Sequence, residues 1–181
     1  MQIGLARHFL VPHRRAELLD ADGFGRWVAW YDDAQGECGA GGTAAAGHAW
    51  DVCYSSDLRR ARVTAERLHA GPARGTPLLR EVPFGPVLGG RVPLPLMLWQ
   101  ALARLAWLVG HRTQPEGRRA TLARAGALLD HLCAEHPDGR VLVVGHGFLM
   151  QVLAAELRRR GFRGRVPLRP RGGEVYVFAR D

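Results

Sequence analysis

Residues Val141 to Gly147 have the sequence Val-Leu-Val-Val-Gly-His-Gly, an apolar run that ends in a histidine between two glycines. Such a run is expected in a strand that is covered on both faces, as in a parallel sheet. The residues that follow place apolar side chains at helical spacing, at Leu149, Val152, Leu153 and Leu157. Open α/β sheets bind ligands at the carboxyl ends of such strands, which makes His146 a candidate site residue.

Two other segments predict junctions of the same kind. Gln2 to Ala6 is a short, mostly apolar run, predicted to be a buried strand that delivers Arg7 and His8 at its carboxyl end. Trp50 to Tyr54 alternates and is followed by Ser56, which we expect to act as a helix N-cap. A strand that feeds a helix is half of a βαβ unit.

The helix expected after Ser56 has two distinct faces. One face is an apolar stripe, formed by Leu58, Ala61, Ala65 and Leu68. Ser56, Arg60 and Thr64 repeat every fourth residue and therefore share a different face. Arg59 and Arg62 fall outside that polar face, so we expect them to be solvated.

Further helices and strands are predicted along the chain. We expect a helix within Glu17 to Asp33, a glycine-rich loop from Gly36 to Gly47, and a Pro- and Gly-rich segment from Val82 to Pro95. Two more apolar stripes indicate helices, at Leu98, Leu102, Leu105 and Val109 and then at Leu122, Ala125, Leu129 and Leu132. His136 to Gly139 ends the second of these, and Val175 to Phe178 supplies a last strand.

Length and composition favour one soluble domain. The chain has 181 residues, 47% of them hydrophobic, and a net charge of +8 in which all 25 basic residues are arginine. This arginine bias weakens each arginine as a sign of phosphate binding. Cys38, Cys53 and Cys133 are odd in number and widely spaced, which favours a reducing compartment. No secretion signal or membrane span is indicated, so we expect a cytoplasmic protein.

A set of four separate segments carries candidate chemistry. These are Arg7-His8, Arg60, Glu81 and His146, which can converge on one pocket in an open α/β sheet. Together they supply an imidazole nucleophile, guanidinium groups for phosphate oxygens, a second imidazole and a carboxyl that moves a proton. This combination points to phosphoryl transfer, with the arginines in the place of a metal.

The same segments resemble one known family. Tyr54 to Ala65 resembles the S-x-L-x-R-A-x-x-T-A signature of the histidine phosphatase superfamily, also called phosphoglycerate mutase-like. Val141 to Gly147 resembles its apolar strand ending in H-G, Leu79 to Val82 its L-x-E segment, and Arg7-His8 the start of its R-H-G. The resemblances occur in the family's order and run from residue 3 to about residue 155.

The resemblance implies a fold and a reaction. The fold would be an α/β protein, a three-layer α/β/α sandwich around a mostly parallel sheet, with residues 1–181 as one domain and an active-site insertion around residues 82–121. The reaction would be metal-independent hydrolysis of phosphomonoesters. His8 would attack phosphorus, Arg7, Arg60 and His146 would bind the phosphoryl oxygens, and Glu81 would move the proton.

Two other functions remain open from the sequence. The first is a phosphotransferase of the phosphoglycerate mutase type, although mutases usually carry longer insertions than 181 residues allow. The second is a catalytically inactive relative that binds an anion or nucleic acid, suggested by Phe9 and by the seven arginines between Arg158 and Arg171. A complete set of histidine, arginine and glutamate residues argues against the inactive relative.

Phe9 is the clearest departure from the family pattern, which usually has glycine after Arg-His. In this respect the chain resembles a branch of small bacterial members with R-H-F. The ring of Phe9 either projects into the pocket mouth, where it would restrict substrates, or packs into the core beneath the strand. The segment Pro83 to Gly90 also departs, because many relatives have an acidic residue there before a glycine.

The expected ligands follow from this assignment. We expect a phosphorylated small molecule or phosphoprotein as substrate, no cofactor, no metal, and neither a membrane nor a nucleic acid as partner. His13, Arg14 and Arg15 either contact a distal anion of the substrate or lie in a solvated loop. His131 and His136 are not spaced as metal ligands on one helix face.

Overall fold

In the computed structural model, which describes residues 1–12, 17–34, 36 and 49–180, strands and helices alternate along much of the chain. The strands are β1 (Gln2–Arg7), β2 (Leu18–Leu19), β3 (Val52–Ser56), β4 (Ala73–Thr76), β5 (Leu94–Pro95), β6 (Arg140–Gly145) and β7 (Val175–Ala179). The helices are α1 (Ala21–Asp33), α2 (Arg59–Leu68), α3 (Leu96–Leu108), α4 (Arg118–Glu135) and α5 (Gly147–Arg159).

Five of these strands form one mixed sheet in the order β4-β3-β6-β1-β7. The first four are parallel, and β7 pairs antiparallel with β1 at the edge. The central strand is β6, whose residues Val141 to Val144 are buried on both faces. The prediction of a central strand from that apolar run is therefore confirmed.

Helices cover both faces of this sheet. On one face, Cys53 and Leu142 pack with the α2 residues Ala61 and Ala65. On the other, the Tyr54 hydroxyl donates to the Glu135 carboxylate of α4. Successive side chains of a strand point to opposite faces, so neighbouring residues such as Cys53 and Tyr54 contact different layers. The expected α/β fold with a mostly parallel sheet is confirmed.

The contacts within the chain divide it into two compact units. The first comprises Met1–Val11, Gln35–Glu81 and Ala123–Asp181, and therefore the whole five-stranded sheet. The second comprises Pro12–Ala34 and Val82–Leu122. The assignment of residues 82–121 as an insertion over the active site stays a prediction.

The second unit has its own small core. The strands β2 and β5 pair antiparallel, and the Trp99 indole nitrogen donates to the Leu19 carbonyl at 2.6 Å. The core residues that share this cluster are Ala21, Phe24, Trp27, Leu96 and Trp99. Three stacked or nearly stacked aromatic rings form its centre, since Phe24 lies 5.3 Å from Trp99 and 6.3 Å from Trp27 between ring centroids.

The helix predicted within Glu17 to Asp33 is four residues shorter than that segment. Leu18 and Leu19 belong to β2, and α1 begins at Ala21 after Asp20, whose carboxylate accepts the amide of Gly23. Asp20 is thus the N-cap. Most of the glycine-rich loop, together with His13, Arg14, Arg15 and Cys38, lies outside the described residues.

The apolar stripe predicted for α3 is not the face that the helix buries. Leu98, Leu105 and Val109 are exposed, the last two by 58% and 72%. The helix instead buries Leu96, Trp99, Ala103, Ala106 and Trp107. Two large indoles and two alanines on this face can pack closely against a small core. The sequence prediction chose the buried face from the spacing of the leucines instead. In α4, Leu122 is likewise exposed, whereas Ala125, Leu129 and Leu132 are buried as predicted.

The N-cap predicted at Ser56 is also wrong. Ser56 is the last residue of β3, and α2 begins two residues beyond the expected start, at Arg59. Leu58 occupies the N-cap position without a side-chain hydrogen bond. The polar face nevertheless exists, because Ser56, Arg60 and Thr64 are all fully buried.

Gly4 provides a test of the sheet packing. A Cβ at Gly4 would lie 2.4 Å from the Trp50 ring and 2.9 Å from the Val175 side chain, so Gly4→Ala should destabilise the fold by about 1–3 kcal/mol through overpacking. Gly75→Ala is the matched control, because Gly75 is also in a strand and a Cβ there meets nothing within 4 Å. Urea unfolding measures both. Equal stabilities of the two variants would contradict this packing.

Candidate active site

The candidate residues come from the carboxyl ends of three adjacent parallel strands. Arg7 ends β1 and pairs with Gly145, which ends β6, while Ser56 ends the neighbouring strand β3. Parallel strands bring their carboxyl ends to the same edge of a sheet. His8 and His146, which directly follow β1 and β6, therefore lie side by side, with ring centroids 5.0 Å apart.

Both histidines are buried and held neutral. His8 is 2% exposed and His146 is 1% exposed. Burial lowers the pKa of His8 well below its ordinary value of 6.5. The repulsion that a second protonated ring at His146 would exert, and the positive charges of Arg60 and Arg7, lower it further. Burial also lowers the pKa of His146, with added repulsion from Arg60, Arg7 and Arg124. At neutral pH each ring is an uncharged imidazole.

The orientation of His8 is fixed by the backbone of the next residue. Its Nδ1 is hydrogen-bonded to the Phe9 carbonyl oxygen. A carbonyl oxygen only accepts, so Nδ1 carries the proton of the neutral ring and Nε2 keeps a lone pair. The Phe9 amide in turn donates to Thr64 Oγ1 at 2.9 Å, and the Thr64 hydroxyl donates to the Arg60 carbonyl at 2.8 Å. This chain of hydrogen bonds ties the nucleophile candidate to α2.

His146 is positioned by Ser56. Its Nε2 lies 3.0 Å from Ser56 Oγ, and the hydroxyl oxygen also accepts the Leu58 amide at 3.3 Å. The other ring nitrogen, Nδ1, is buried and has no hydrogen-bond partner among the described residues, and the same holds for Arg7 Nε. Buried polar atoms of this kind normally have partners. A bound oxyanion would accept from Arg7 Nε, and from His146 Nδ1 when the ring proton is on that nitrogen.

Arg7 lies against the N-terminus of α5. A Cβ built on Gly147 would be 3.4 Å from Arg7 Nε, so the guanidinium contacts the first residue of that helix. Arg7 Nη1 also donates to the Pro170 carbonyl at 3.3 Å. The dipole at a helix N-terminus favours an anion, as does the guanidinium.

Glu81 reaches the same helix end. Its two carboxylate oxygens accept the amides of Phe148 and Leu149, each at 3.0 Å. The carboxylate is therefore oriented by α5, whose first residue follows His146 directly. All five predicted site residues, Arg7, His8, Arg60, Glu81 and His146, are thus placed around this edge of the sheet.

Arg124 and Asp57 support the Glu81 segment and were not predicted from the sequence. Arg124 Nη1 donates to the carbonyls of Leu78 and Arg80, at 2.6 and 2.9 Å. The Arg80 guanidinium forms a bidentate pair with the Asp57 carboxylate, at 2.7 and 2.6 Å. In a chain with 25 arginines no local pattern distinguishes Arg124, whose contacts are more than 40 residues away in sequence.

A family comparison covers most of this site. The model of the histidine phosphatase superfamily (branch 1) matches residues 33–175, a range that includes Arg60, Glu81 and His146. The chain belongs to this superfamily. The matched range begins after Arg7 and His8, whose placement in the site rests on the structure.

Solved histidine phosphatase-like structures resemble the chain in fold. A mycobacterial glucosyl-3-phosphoglycerate phosphatase is 25% identical, with a TM-score of 0.57 over 92% of this chain and 81% of that one. A protein of Thermus thermophilus is 25% identical, with a TM-score of 0.60 over 98% and 92%. A phosphoserine phosphatase variant from Entamoeba histolytica, in complex with phosphoserine, is 17% identical with a TM-score of 0.60 over 87% and 80%, which shows the fold alone. A search of curated proteins found no match.

Phe9, the departure from the superfamily pattern, belongs to the core. Its side chain is 1% exposed and packs against Gly173. The alternative in which the ring projects into the pocket mouth is therefore wrong, and the core alternative is confirmed. The backbone carbonyl that orients His8 is still present, because it does not depend on the side chain at position 9.

The remaining predicted residues lie elsewhere in the chain. Arg59 and Arg62 are exposed, as expected. In the arginine-rich segment, Arg160 pairs with Asp130 and with Glu156, and Arg159 also pairs with Glu156. Across the described residues there is no group of three or more His, Cys, Asp or Glu side chains that could hold a metal, and no helix long and apolar enough to cross a membrane.

The buried histidines make a prediction about stability and pH. As pH falls below about 6.5, histidines of the unfolded chain take up protons, whereas His8 and His146 of the folded protein do not until lower pH. The unfolded state then binds more protons, so the free energy of unfolding should decrease by up to about 1.4 kcal/mol per pH unit for each histidine.

Denaturant unfolding between about pH 7.5 and pH 5.5 measures this slope. His146→Gln should reduce it relative to the wild type, whereas His111→Gln, at an exposed histidine, should not. A slope that is the same in His146→Gln and in the wild type would show that His146 is not buried in neutral form.

Proposed function

We propose that this protein is a metal-independent phosphomonoester hydrolase that acts through a phosphohistidine intermediate on His8. The observation that carries the proposal is the state of that imidazole. His8 is buried, its pKa is lowered by burial and by His146, Arg60 and Arg7, and its Nδ1 proton is held by the Phe9 carbonyl. A neutral ring with a lone pair on Nε2 is the form required of a nucleophile.

In the first step, His8 Nε2 attacks the phosphorus atom of the ester. The new P–N bond forms as the P–O bond to the leaving group breaks, and the Glu81 carboxyl gives its proton to the leaving oxygen. Arg7, Arg60 and His146 hold the three remaining phosphoryl oxygens. The buried Arg7 Nε supports this assignment because it needs an acceptor, and so does His146 Nδ1 in the tautomer in which Ser56 donates to Nε2.

In the second step, water attacks the phosphohistidine. Glu81, now a carboxylate, takes a proton from the water as its oxygen bonds to phosphorus, and the P–N bond breaks to restore His8. The amides of Phe148 and Leu149 keep the carboxylate oriented at the end of α5 during both steps. The products are inorganic phosphate and the dephosphorylated alcohol.

We infer that the substrate is a phosphorylated small molecule or a phosphoprotein. Similarity to the mycobacterial glucosyl-3-phosphoglycerate phosphatase, at 25% identity, supports a small phosphomonoester. A screen of phosphorylated metabolites, phosphopeptides and a generic aryl phosphate would identify the class.

The purified protein should release phosphate from p-nitrophenyl phosphate in the presence of EDTA, because side chains supply the positive charge at the phosphoryl group. His8→Ala should lower the rate by about a thousandfold or more, since it removes the nucleophile. His111→Ala, at an exposed histidine, is the control and should keep full activity. Retention of more than about a tenth of the rate in His8→Ala, a barrier change of only ~1.4 kcal/mol, would rule out His8 as the nucleophile.

Glu81→Gln should lower kcat/KM for an alkyl phosphate by about 10²–10⁴-fold and that for p-nitrophenyl phosphate much less, because the nitrophenolate leaves without protonation. The later attack of water, in which Glu81 acts as the base, is common to both substrates and limits kcat. The lost amide contact affects both substrates equally, so the ratio of the two kcat/KM values isolates proton transfer. Glu66→Gln, on the exposed side of α2, is the control. Equal losses on both substrates would assign Glu81 a purely structural role.

A further inference from the structure

Phe9 and a pair of glycines fit together beside the nucleophile. A Cβ on Gly173 would lie 2.4 Å from Phe9 Cε1, and a Cβ on Gly172 would lie 2.9 Å from the His8 carbonyl oxygen. Gly173 also has a φ of +77°, which L side chains rarely adopt. The Phe9 ring is therefore complementary in shape to the missing side chain at Gly173, whereas Gly172 allows the close approach of the backbone of residues 8–10.

The segment that carries these glycines, residues 167–173, is attached to Arg7 at two points. We call it the 167–173 loop. The Gly173 amide donates to the Arg7 carbonyl at 2.8 Å, and the Arg7 guanidinium donates through Nη1 to the Pro170 carbonyl at 3.3 Å. Both the backbone and the side chain of Arg7 are thus held by this loop.

The other end of the loop is held by residues outside the site. The Gln151 side-chain amide donates to the Pro167 carbonyl at 2.8 Å, and the Tyr176 hydroxyl accepts the Arg171 amide at 3.1 Å. These two contacts are largely exposed, whereas Phe9 is buried. Burial of the apolar Phe9 ring against the 167–173 loop therefore stabilises the position of this loop more strongly than two exposed hydrogen bonds do.

We propose that Phe9 is a positioning residue that locks the 167–173 loop onto Arg7 and so fixes the Arg7 guanidinium for phosphate. The inference rests on the proposed function, because it takes Arg7 as a phosphate ligand. Phe9 itself does not touch the phosphate. It acts by filling the space that Gly173 leaves, which keeps the Gly173 amide on the Arg7 carbonyl.

The test changes each residue of the Phe9–Gly173 contact, which we call the lock. Gly173→Ala introduces a methyl group into the Phe9 ring, and Phe9→Ala removes the ring. Gly161→Ala is the matched control, because Gly161 has a similar φ of +86° and a Cβ there meets only Arg180 Cδ, at 4.0 Å. Phe9→Leu retains most of the apolar volume and tests for rescue should Phe9→Ala fail to fold.

Two measurements are made on each variant. Titration calorimetry gives the Kd of inorganic phosphate, and hydrogen exchange gives the protection of the Gly173 amide. We expect Gly173→Ala and Phe9→Ala each to raise the Kd about tenfold or more and to speed exchange at Gly173 (for Gly173→Ala, at the new residue 173). Gly161→Ala and Phe9→Leu should keep the Kd within about threefold of the wild type.

The double variant Phe9→Ala/Gly173→Ala distinguishes a lock from two separate defects. With the ring absent, the added methyl group has space, so Gly173→Ala should raise the phosphate Kd much less than it does in the wild type. Strictly multiplicative effects on the Kd, or wild-type phosphate binding in folded Gly173→Ala, would overturn the inference.

Failure of the proposed function gives a different result. A wild type that binds phosphate but shows no His8-dependent activity would overturn the proposed function alone, whereas a wild type that binds no phosphate would overturn the positioning role of Phe9 as well. If the wild type binds phosphate with His8-dependent activity and the lock variants bind it equally well, only the lock is wrong.

Discussion

The buried guanidinium of Arg60 sets the conditions for the whole site. Taking a positive charge out of water costs several kcal/mol, and the charge acts over a longer range in the protein interior than in solvent. Burial keeps His8 and His146 uncharged, and the field of Arg60 adds to its effect. The same field favours a phosphoryl group, whose oxygens are anionic, so one electrostatic arrangement would both keep the proposed nucleophile uncharged and attract the proposed substrate.

Backbone geometry holds this arrangement together. The parallel pairing of β1, β6 and β3 aligns their carboxyl ends, and hydrogen bonds from side chains then fix each residue that follows. Thr64 links β1 to α2, and Ser56 links β3 to His146. Glu81 is held by the first amides of α5 and, through its own segment, by Arg124. The site thus consists of strand ends whose residues are hydrogen-bonded to α2 and α5, as expected where a phosphate needs precise positioning.

The fold and the position of the five candidate residues at one edge of the sheet could be predicted because their signals are local. The run at Val141 to Val144 is buried because both faces of β6 are covered, and an ordered set of short motifs marked the strand ends. Which face of α3 is buried could not be predicted, because the positions of Trp99 and Trp107 decide it and the leucines do not. Arg124 was missed since its contacts are tertiary, and Phe9 remained open because its partner, Gly173, is 164 residues later in the chain.

The central claim is that the phosphoryl group passes through a covalent bond to His8. Rapid quenching in alkali during turnover, followed by mass spectrometry of the peptide that contains His8, measures this most directly. Phosphohistidine survives alkali and hydrolyses in acid, so the account predicts a peptide heavier by one phosphoryl group that disappears on acid treatment. A peptide that stays unmodified while p-nitrophenyl phosphate is hydrolysed, both in the wild type and in Glu81→Gln, which lacks the base that hydrolyses the intermediate, would contradict it, because direct attack by water would then be the mechanism.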